Sequence, residues 1–305
     1  MPPIIATQGL TKYYGSNPGL IDLDLEVESG RIFGFLGANG AGKTTAIRIL
    51  LDLIRPTRGQ AWVFGRPLFA ISPRDRLELR RRIGFIPGEL RLYEDMTGRA
   101  FLDYLGSYFG AVRADWRRSI LERLELDKTA LSRKISGYSR GMKQKLGIVQ
   151  ALQHDPELLI LDEPTEGLDP LMQQTFYGLL RELVGRGRTV FMSSHNLGEM
   201  EKICERVAIL RQGRLVAVEG IDTLQARRFH QVEVEFASEE AAAAFSVPGI
   251  NESRREGGRL YFSWQGDFAD LWAELEKYRI ADFACQKASL EEIFLAYYGR
   301  SEENA

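Results

Sequence analysis

Short apolar runs alternate with amphipathic segments over about the first 220 residues of the chain. Three runs, "RIFGFL" (31–36), "ELLILDEP" (157–164) and "TVFMSSH" (189–195), are short and nearly continuous in apolar residues, which predicts buried strands. The segment 44–54, "TTAIRILLDLI", is apolar on most of its surface and predicts a buried helix. Strands that alternate with helices favour an α/β fold with a mainly parallel central sheet.

Residues from about 87 to 151 have a different pattern, with helical periodicity and few strand signals. Within "GMKQKLGIVQAL", apolar side chains recur at helical spacing, which is typical of a core-facing stripe. We therefore predict a helical insert ahead of the "LLILDEP" strand. The preceding basic run "RDRLELRRR" (74–82) predicts a solvated helix face, with a partner-binding face as the alternative.

The pattern changes again after Gly220. The segment 206–220, "RVAILRQGRLVAVEG", predicts a hairpin around Gln212 and Gly213. Beyond it, "HQVEVEF", "SEEAAAAF", a weak strand near "GINESRR", "GRLYFSW", "DFADLWAELEKY", "IADFACQKA" and "SLEEIFLAYYG" predict the order β-α-β-β-α-β-α. That order is typical of a ferredoxin-like α+β module, so we predict a small accessory domain over 221–305.

A glycine-rich loop connects the first predicted buried strand to the first buried helix. The sequence "GANGAGKT" matches G-x-x-x-x-G-K-[ST], and its glycines let backbone amides turn toward an anion at the helix N-terminus. A lysine in this position supplies a charge to the β- and γ-phosphates of a nucleotide, and the next hydroxyl supplies a ligand to Mg²⁺. The predicted phosphate-binding residues are Gly37, Asn39, Gly40, Ala41, Gly42, Lys43, Thr44 and Thr45.

Composition excludes several classes of protein. Hydrophobic residues make up 44% and charged residues 27% of the chain, and the net charge is −2, so no global basic field favours nucleic acid. No apolar run approaches the roughly 20 residues that span a bilayer, and the first ten residues lack the pattern of a secretion signal. Cys204 and Cys285 are expected to be reduced thiols in a cytosolic protein.

A metal ligand in addition to the Thr44 hydroxyl, an acidic one, is needed to hold Mg²⁺ beside such a loop. Asp162 follows four apolar residues at the end of the "LLILDEP" strand, where a carboxylate can hold the metal that bridges the phosphates. Glu163 follows at once and is well placed to accept a proton from an attacking water. The alternative, an exposed acidic pair, leaves the phosphate loop without its metal ligand.

The segment "YSRGM" begins another amphipathic helix. Ser139 predicts the N-cap, and the free amides near Gly141 form a second anion site. Taken alone, this pattern is that of an ordinary capped helix. The spacing of this segment from the other motifs changes the interpretation. Ser139 lies 23 residues before Asp162, and His195 lies 33 residues after Asp162.

In this order the motifs resemble those of the ATP-binding subunits of ATP-binding cassette (ABC) transporters, in the ABC-2 or drug and antibiotic exporter subgroup. "GANGAGKT" resembles Walker A, "LLILDEP" Walker B, "YSRGM" the signature, "EGLD" the D-loop and "SSHNLGEME" the switch segment. "LTKYYG" resembles the segment that brings an aromatic ring to adenine. The resemblance covers roughly residues 4–220. It implies a P-loop NTPase fold with a RecA-like core and a helical insert, and the C-terminal residues resemble the small extra domain of the subgroup.

The resemblance also implies roles for single residues. Glu163 polarises the attacking water and His195 contacts the γ-phosphate, while Thr44 and Asp162 hold Mg²⁺. Tyr14 stacks on adenine, with Tyr13 as the other candidate. The residues that complete the nucleotide site from the opposite subunit of a head-to-tail dimer are Ser139, Gly141 and, in the D-loop, Asp169.

One position departs from the family pattern. A glutamine that usually contacts Mg²⁺ and water is replaced by Gly88, so Glu89 is the candidate metal ligand after a shift of one residue. The signature also has Arg140 where many members have glycine, which leaves the roles of Ser139 and Gly141 in place.

The resulting prediction is an ATPase that uses ATP and Mg²⁺ to close a homodimer and to energise export through a separate integral-membrane permease. Such a subunit is cytoplasmic and peripheral on the inner face of the plasma membrane, and no nucleic acid partner is expected. One alternative is a non-transport ABC ATPase acting on ribosomes or DNA, although those proteins usually carry two cassettes or a long coiled coil. A P-loop GTPase or small-molecule kinase is disfavoured because no N-K-x-D motif occurs.

Overall fold

The computed structural model describes residues 2–110, 112–226 and 229–288, and the chain divides into two compact units, Met1–Gly220 and Ile221–Ala305. The strands of the first unit are β1 (Ile5–Tyr14), β2 (Asn17–Val27), β3 (Ile32–Leu36), β4 (Arg58–Val63), β5 (Arg66–Pro67), β6 (Ile83–Ile86), β7 (Leu158–Asp162), β8 (Thr189–Ser194), β9 (Arg206–Arg211) and β10 (Arg214–Gly220). Its α-helices are α1 (Lys43–Leu50), α2 (Pro73–Arg81), α3 (Gly98–Gly106), α4 (Ala114–Arg123), α5 (Lys128–Ser132), α6 (Arg140–Leu152), α7 (Pro170–Gly185) and α8 (Leu197–Ile203).

The central sheet of this unit has the order β10-β9-β3-β8-β7-β6, and all its strands are parallel except β10. The predicted α/β class with a mainly parallel sheet is therefore confirmed. Strands β3, β7 and β8 are buried along their whole length, as their continuous apolar sequences predict. Rings from adjacent strands fill the core, where Phe191 lies 5.1 Å from Phe35 and 6.1 Å from Phe33, measured between ring centroids.

Parallel strands bring their carboxyl ends to one edge of the sheet. Register pairs Leu36 with Ser194 and Asp162 with Ser193, so the ends of β3, β7 and β8 lie side by side. The residues that follow these three strands are the glycine-rich loop, Glu163 and His195. Topology alone therefore gathers the predicted chemistry at one edge.

Helix α1 is shorter than predicted. It ends at Leu50, whereas the apolar pattern predicts a helix to residue 54. Asp52 has a φ of 53°, a left-handed conformation that a continuing α-helix does not allow. The apolar residues after Leu50 pack without helical backbone, since Leu51 is buried and Ile54 lies against the core.

A second, antiparallel sheet packs beside the central one, in the order β2-β1-β4-β5. The predicted hairpin is confirmed, because β9 and β10 pair antiparallel around Gln212 and Gly213, both of which have positive φ. Between β6 and β7 the described residues form α3 to α6 and two short 3-10 helices, Ser107–Phe109 and Ile135–Gly137. Within the insert, α4 is tied to the end of α6 by the Trp116 indole, whose Nε1 donates to the Leu152 carbonyl over 2.9 Å.

His154 lies where the insert meets the central sheet. Its ring stacks on Phe109 with centroids 3.7 Å apart, and Nε2 lies 3.2 Å from the Ile83 carbonyl oxygen. Burial lowers the pKa of His154 to about 4, against the opposing effects of that carbonyl and of Asp155. The folded protein therefore holds this imidazole neutral at pH values where the unfolded chain protonates it.

We expect acid to destabilise the first unit through His154. A histidine whose folded pKa is lowered from 6.5 to about 4 contributes stability above pH 6.5, and that stability is lost as the pH falls toward 4. The free energy of unfolding should fall by about 2 kcal/mol between pH 7 and pH 5 from this group alone. Denaturant unfolding at both pH values measures the loss, and His154→Phe, which keeps the stacking ring, should lose less. An equal pH dependence in the two proteins would contradict the assignment.

The second unit contains α9 (Ile221–Ala226), β11 (His230–Phe236), α10 (Glu239–Ala244), β12 (Ile250–Glu256), β13 (Arg259–Trp264), α11 (Phe268–Leu275) and β14 (Ile280–Lys287). From β11 to β14 the order is the β-α-β-β-α-β that the sequence predicts, in an antiparallel sheet ordered β12-β13-β11-β14. Helix α9 is an addition to the prediction. The final predicted helix, "SLEEIFLAYYG", lies outside the described residues.

Candidate functional site

The glycine-rich loop forms the strand-to-helix turn between β3 and α1. Gly42 is the N-cap of α1 with a φ of 105°, and a Cβ there would lie 2.5 Å from the Gly19 carbonyl oxygen, so only glycine fits. Gly40 also has a left-handed φ, of 82°. The helix N-terminus has no side-chain cap, which leaves its amides free to bind an anion.

A cavity of about 190 Å³ opens over this loop. Its lining contains most of the predicted phosphate-binding residues together with a glycine from β2 and an acid from the end of β7. The lining residues are Gly19, Asn39, Gly40, Ala41, Gly42, Lys43, Thr44, Thr45 and Glu163.

Lys43 is buried in the floor of the cavity and carries the only cation of that lining. Its Nζ donates to the Gly37 carbonyl over 2.6 Å and to the Ala38 carbonyl over 3.3 Å, and it lies 3.2 Å from Oε1 of Glu163. The carbonyls hold the ammonium in place, and the carboxylate supplies its counter-charge. A phosphate entering the cavity would compete with Glu163 for this charge.

Thr44 from the first turn of α1 meets Asp162 from the end of β7. The Thr44 hydroxyl donates to Oδ2 of Asp162 over 2.8 Å, and the Ser193 hydroxyl donates to Oδ1 of the same carboxylate over 2.6 Å. These hard oxygens fit Mg²⁺, which binds one or two protein oxygens and completes its octahedron with phosphates and water. In the described ranges, no group of three or more His, Cys, Asp or Glu side chains could hold a metal ion.

Glu163 and His195 meet above the phosphate loop. Nδ1 of His195 lies 2.9 Å from Oε2 of Glu163, while the other carboxylate oxygen faces Lys43. Glu163 has a φ of 49°, and its N–H is bonded to the Ser193 carbonyl and lies 3.2 Å from the Ser193 hydroxyl. A non-glycine residue held in the left-handed region at a strand end is a sign of a constrained functional position. The His195 side chain is 56% exposed and can reach a ligand in the cavity.

Gly88 rather than Glu89 lies beside the Asp162 carboxylate. A Cβ on Gly88 would be 3.3 Å from Oδ2 of Asp162, so a longer side chain at this position would reach that carboxylate. The Glu89 carboxylate is 79% exposed and pairs with Arg91 over 3.1 Å. Metal binding by Glu89 therefore requires that it leave Arg91, and its role stays a prediction.

Tyr14 lies beside Gly19, one of the residues that line the cavity. A Cβ on Gly19 would be 2.8 Å from the Tyr14 ring and 3.4 Å from the Thr45 hydroxyl, so Gly19 is the contact between the ring and the phosphate loop. The ring is 47% exposed, with the Lys12 ammonium 5.4 Å from its centroid. Tyr13 is also exposed, and its N–H is bonded to the Thr57 hydroxyl.

The signature and D-loop segments lie against each other. Ser139 caps α6 by accepting from the Met142 N–H, and Asp169 caps α7 by accepting from the Leu171 and Met172 N–H groups. A Cβ on Gly141 would be 3.2 Å from the Gly167 carbonyl oxygen. The structure brings these segments to one surface, and Ser139, Gly141 and Asp169 are outside the lining of the phosphate cavity.

Arg140 joins the same two segments through its side chain, which lies against Gly167 and forms an ion pair with Glu166. The residue that departs from the usual glycine therefore contacts the D-loop of its own chain. Its side chain is exposed, so the pair itself contributes little to stability.

Comparison with known proteins supports the geometry. The ABC transporter family model matches residues 20–166. The bacitracin transport ATP-binding protein BcrA of Bacillus licheniformis is 40% identical over 247 residues, which cover 79% of this chain and 78% of that protein. The chain belongs to the ABC transporter family.

Other relatives extend the match of this ABC protein over most of its length. The Nod factor export ATP-binding protein I of Paraburkholderia xenovorans is 33% identical over 297 residues, 96% of each chain. A dimeric ATP-binding cassette, MJ0796, in a post-hydrolysis state with ADP and Pi, has the same fold with a TM-score of 0.65, at 24% identity over 71% of this chain and 98% of that one. The predicted family and cassette fold are confirmed, and the ABC protein is an ATPase that energises transport.

Sequence reasoning missed three residues of the site in this ABC ATPase. Gly19 admits the Tyr14 ring, and Ser193 holds Asp162. Glu199 accepts hydrogen bonds from Thr165, two residues after Glu163, and from Ser194, which precedes His195. Ser193 could have been found, because its neighbours in "SSH" end the strand next to β7. Gly19 and Glu199 carry no local signal.

Proposed function

We propose that this chain is the ATPase subunit of an exporter that works with a separate integral-membrane subunit. Both named relatives support this proposal, since one is a bacitracin transport ATP-binding protein and the other is a Nod factor export ATP-binding protein. Among the described residues, no helix is long and apolar enough to cross a membrane. The proposed location is the cytoplasmic face of the plasma membrane, where the subunit is peripheral.

The observation that carries the catalytic proposal is the chain of contacts from Lys43 through Glu163 to His195. Lys43 and the loop amides bind the phosphates of ATP, with the adenine on the Tyr14 ring. Thr44 and Asp162 would hold Mg²⁺, which would supply positive charge to offset that of the phosphates. Glu163 accepts a proton from the attacking water, and His195 contacts the γ-phosphate.

We propose that closure of a head-to-tail homodimer completes each site. Ser139 and Gly141 lie at the exposed N-terminus of α6, outside the lining of their own phosphate cavity. Free amides at a helix N-terminus bind anions, so these residues fit the γ-phosphate held by the opposite subunit. Asp169 contributes from the adjacent D-loop segment of the same surface.

The proposed domains are an ABC cassette over 1–220, with the helical insert at about 87–151, and an accessory domain over 221–305. For the membrane subunit we propose a groove of about 290 Å³ between α2 and the insert. Phe85 lines it three residues before Gly88, which links the groove to Asp162 along the chain. Tyr108 also lines it, and its ring lies 5.3 Å from that of Tyr104, so exposed aromatic surface continues beyond the groove.

Light scattering on purified Glu163→Gln protein, with and without MgATP, tests the proposed function. Slow hydrolysis should trap the closed state and shift the protein from monomer to dimer only when MgATP is present. Adding Ser139→Ala to this background should abolish the shift. The matched control is Asp127→Ala, which removes the N-cap of α5 in the same insert. A monomer that binds ATP but never pairs would overturn the proposed roles of Ser139 and Gly141.

Glu89→Gln tests the remaining metal assignment. If Glu89 leaves Arg91 to bind Mg²⁺, neutralising its charge should raise the Mg²⁺ concentration for half-maximal ATPase activity by about 10-fold. Arg91→Ala, which frees the Glu89 carboxylate, should leave that concentration unchanged or lower it. An unaltered Mg²⁺ dependence and rate in Glu89→Gln would remove Glu89 from the metal site and leave Thr44 and Asp162 as its protein ligands.

A further inference from the structure

A buried carboxylate lies behind the proposed catalytic pair. Glu199 is in the first turn of α8, is 9% exposed, and its N–H is bonded to the Asn196 side chain over 3.2 Å. Among the described residues, no cationic side chain forms an ion pair with it. Burying a carboxylate is costly unless hydrogen bonds satisfy it, so its donors indicate what it does.

Three hydroxyls donate to Glu199. Oε1 accepts from Thr165 over 2.6 Å and from Tyr177 over 2.9 Å, and Oε2 accepts from Ser194 over 2.6 Å. An ionised carboxylate is a pure acceptor and can serve all three, whereas an amide in its place offers one acceptor oxygen. Burial and the nearby Glu199 charge raise the pKa of Tyr177, so this phenol stays a donor.

Two of these hydroxyls flank the catalytic pair in sequence. Thr165 follows Glu163 by two residues and begins the stretch that leads to the D-loop, and Ser194 immediately precedes His195. Ser194 also accepts from the Asn196 N–H over 3.0 Å, which fixes the backbone on the far side of His195. The third hydroxyl, on Tyr177, comes from α7 and touches neither segment of the pair.

We propose that Glu199 is a positioning residue for ATP hydrolysis, which holds the segments carrying Glu163 and His195 in register by accepting from Thr165 and Ser194. One oxygen fixes the segment after Glu163 and the other fixes the segment before His195. Their 2.9 Å contact is thus supported from behind by a single rigid group. Glu199 itself does not line the phosphate cavity, so it acts on the rate of the chemical step rather than on ATP binding.

The three arms of the network can be removed one at a time, and each variant leaves Glu199 with two of its three hydroxyl donors. Thr165→Val and Ser194→Ala remove the arms that reach the catalytic segments. Tyr177→Phe removes one hydrogen bond to the same carboxylate from α7 and is the matched control. Thr165→Val and Tyr177→Phe each remove one of two donors to the same oxygen, so a purely structural role predicts similar losses of stability in these two and no specific change in kcat. Ser194→Ala removes the donor to the other oxygen and also the acceptor of the Asn196 N–H, so its loss of stability should be larger.

Steady-state kinetics with ATP, together with thermal unfolding of each variant, separate the two roles. Thr165→Val and Ser194→Ala should each lower kcat about 10-fold with the KM for ATP unchanged, because small misplacements of catalytic groups are costly. Tyr177→Phe should keep the wild-type kcat. Equal kcat in all three variants, or an equal loss in Tyr177→Phe, would overturn the proposal.

This inference rests on the roles proposed for Glu163 and His195, so Glu163→Gln is measured in parallel. If Glu163→Gln retains wild-type kcat, the proposed catalytic roles fail and the positioning role fails with them. If Glu163→Gln is inactive while Thr165→Val and Ser194→Ala are unaffected, only the positioning role is wrong.

Discussion

Replacement of Glu163 by glutamine should lower kcat for ATP hydrolysis by at least about 100-fold, the usual size of a lost general base. The amide is nearly isosteric with the carboxylate but cannot accept a proton from water at neutral pH. It also loses the charge that lies 3.2 Å from Lys43 Nζ, so the lysine becomes freer to bind phosphate. ATP affinity should therefore be maintained or increased while turnover falls.

Single-turnover hydrolysis and equilibrium binding of ATP measure these two quantities separately. Glu182→Gln is the matched control, because its carboxylate pairs with Arg123 and neither residue lines the phosphate cavity. It should leave the chemical step close to the wild-type rate. A Glu163→Gln protein that hydrolyses ATP within about threefold of wild type would exclude Glu163 as the base, since a general base contributes far more.

Local patterns predicted most of the site because its chemistry follows buried strands. The apolar runs at β3, β7 and β8 are each followed at once by functional residues, and the parallel arrangement brings them together. Asp162, Glu163 and His195 could therefore be placed at one edge from sequence alone. The structure shows that the three side chains are close together, and their roles in ATP hydrolysis are proposals.

Contacts between distant segments could not be predicted in the same way. The sequence places a glycine at 88 and an acid at 89, but only the structure shows that the glycine faces Asp162 and that Glu89 is paired with Arg91. Glu199 lies on a short helix whose other buried residues are the apolar Leu197, Met200 and Ile203, and its own residue type gives no sign that it is buried with them. Its partners Thr165 and Tyr177 are 34 and 22 residues away, so no short window contains the network.

The end of α1 also depends on contacts between distant segments that the sequence pattern does not predict. Residues 51–54 continue the apolar pattern of α1, yet the backbone reverses at Asp52, whose carboxylate forms ion pairs with Arg55 and Arg76. The ion pair with Arg76 joins Asp52 to α2, with Nε of Arg76 2.5 Å from the carboxylate. Apolar periodicity cannot predict such a contact between distant segments. Tertiary packing thus decides where this helix stops.

Replacement of Lys43 by alanine should weaken ATP binding by at least about 100-fold, since a hydrogen bond to a charged group contributes roughly 1.5–3 kcal/mol and the ammonium faces a multiply charged ligand. Lys43 is held by the Gly37 and Ala38 carbonyls and by Glu163, so it is preorganised in the floor of the cavity. Phosphate binding exchanges one carboxylate for phosphate oxygens at the same ammonium. The variant lacks that exchange, and it leaves Glu163 without its cation.

Isothermal titration with MgATP measures the loss, and it is best done in a Glu163→Gln background, where hydrolysis does not consume the ligand and no carboxylate is left unpaired. Lys145→Ala is the matched control, because Lys145 is also a mostly buried lysine whose partner, Glu125, lies in the helical insert away from the phosphate loop. Lys43→Arg separates charge from shape: a compact ammonium fits between the two carbonyls, whereas a planar guanidinium is larger and should bind ATP poorly despite its charge. If Lys43→Ala binds MgATP as tightly as the Lys145→Ala control, the loop amides alone hold the phosphates, and Lys43 serves only to balance the charge of Glu163.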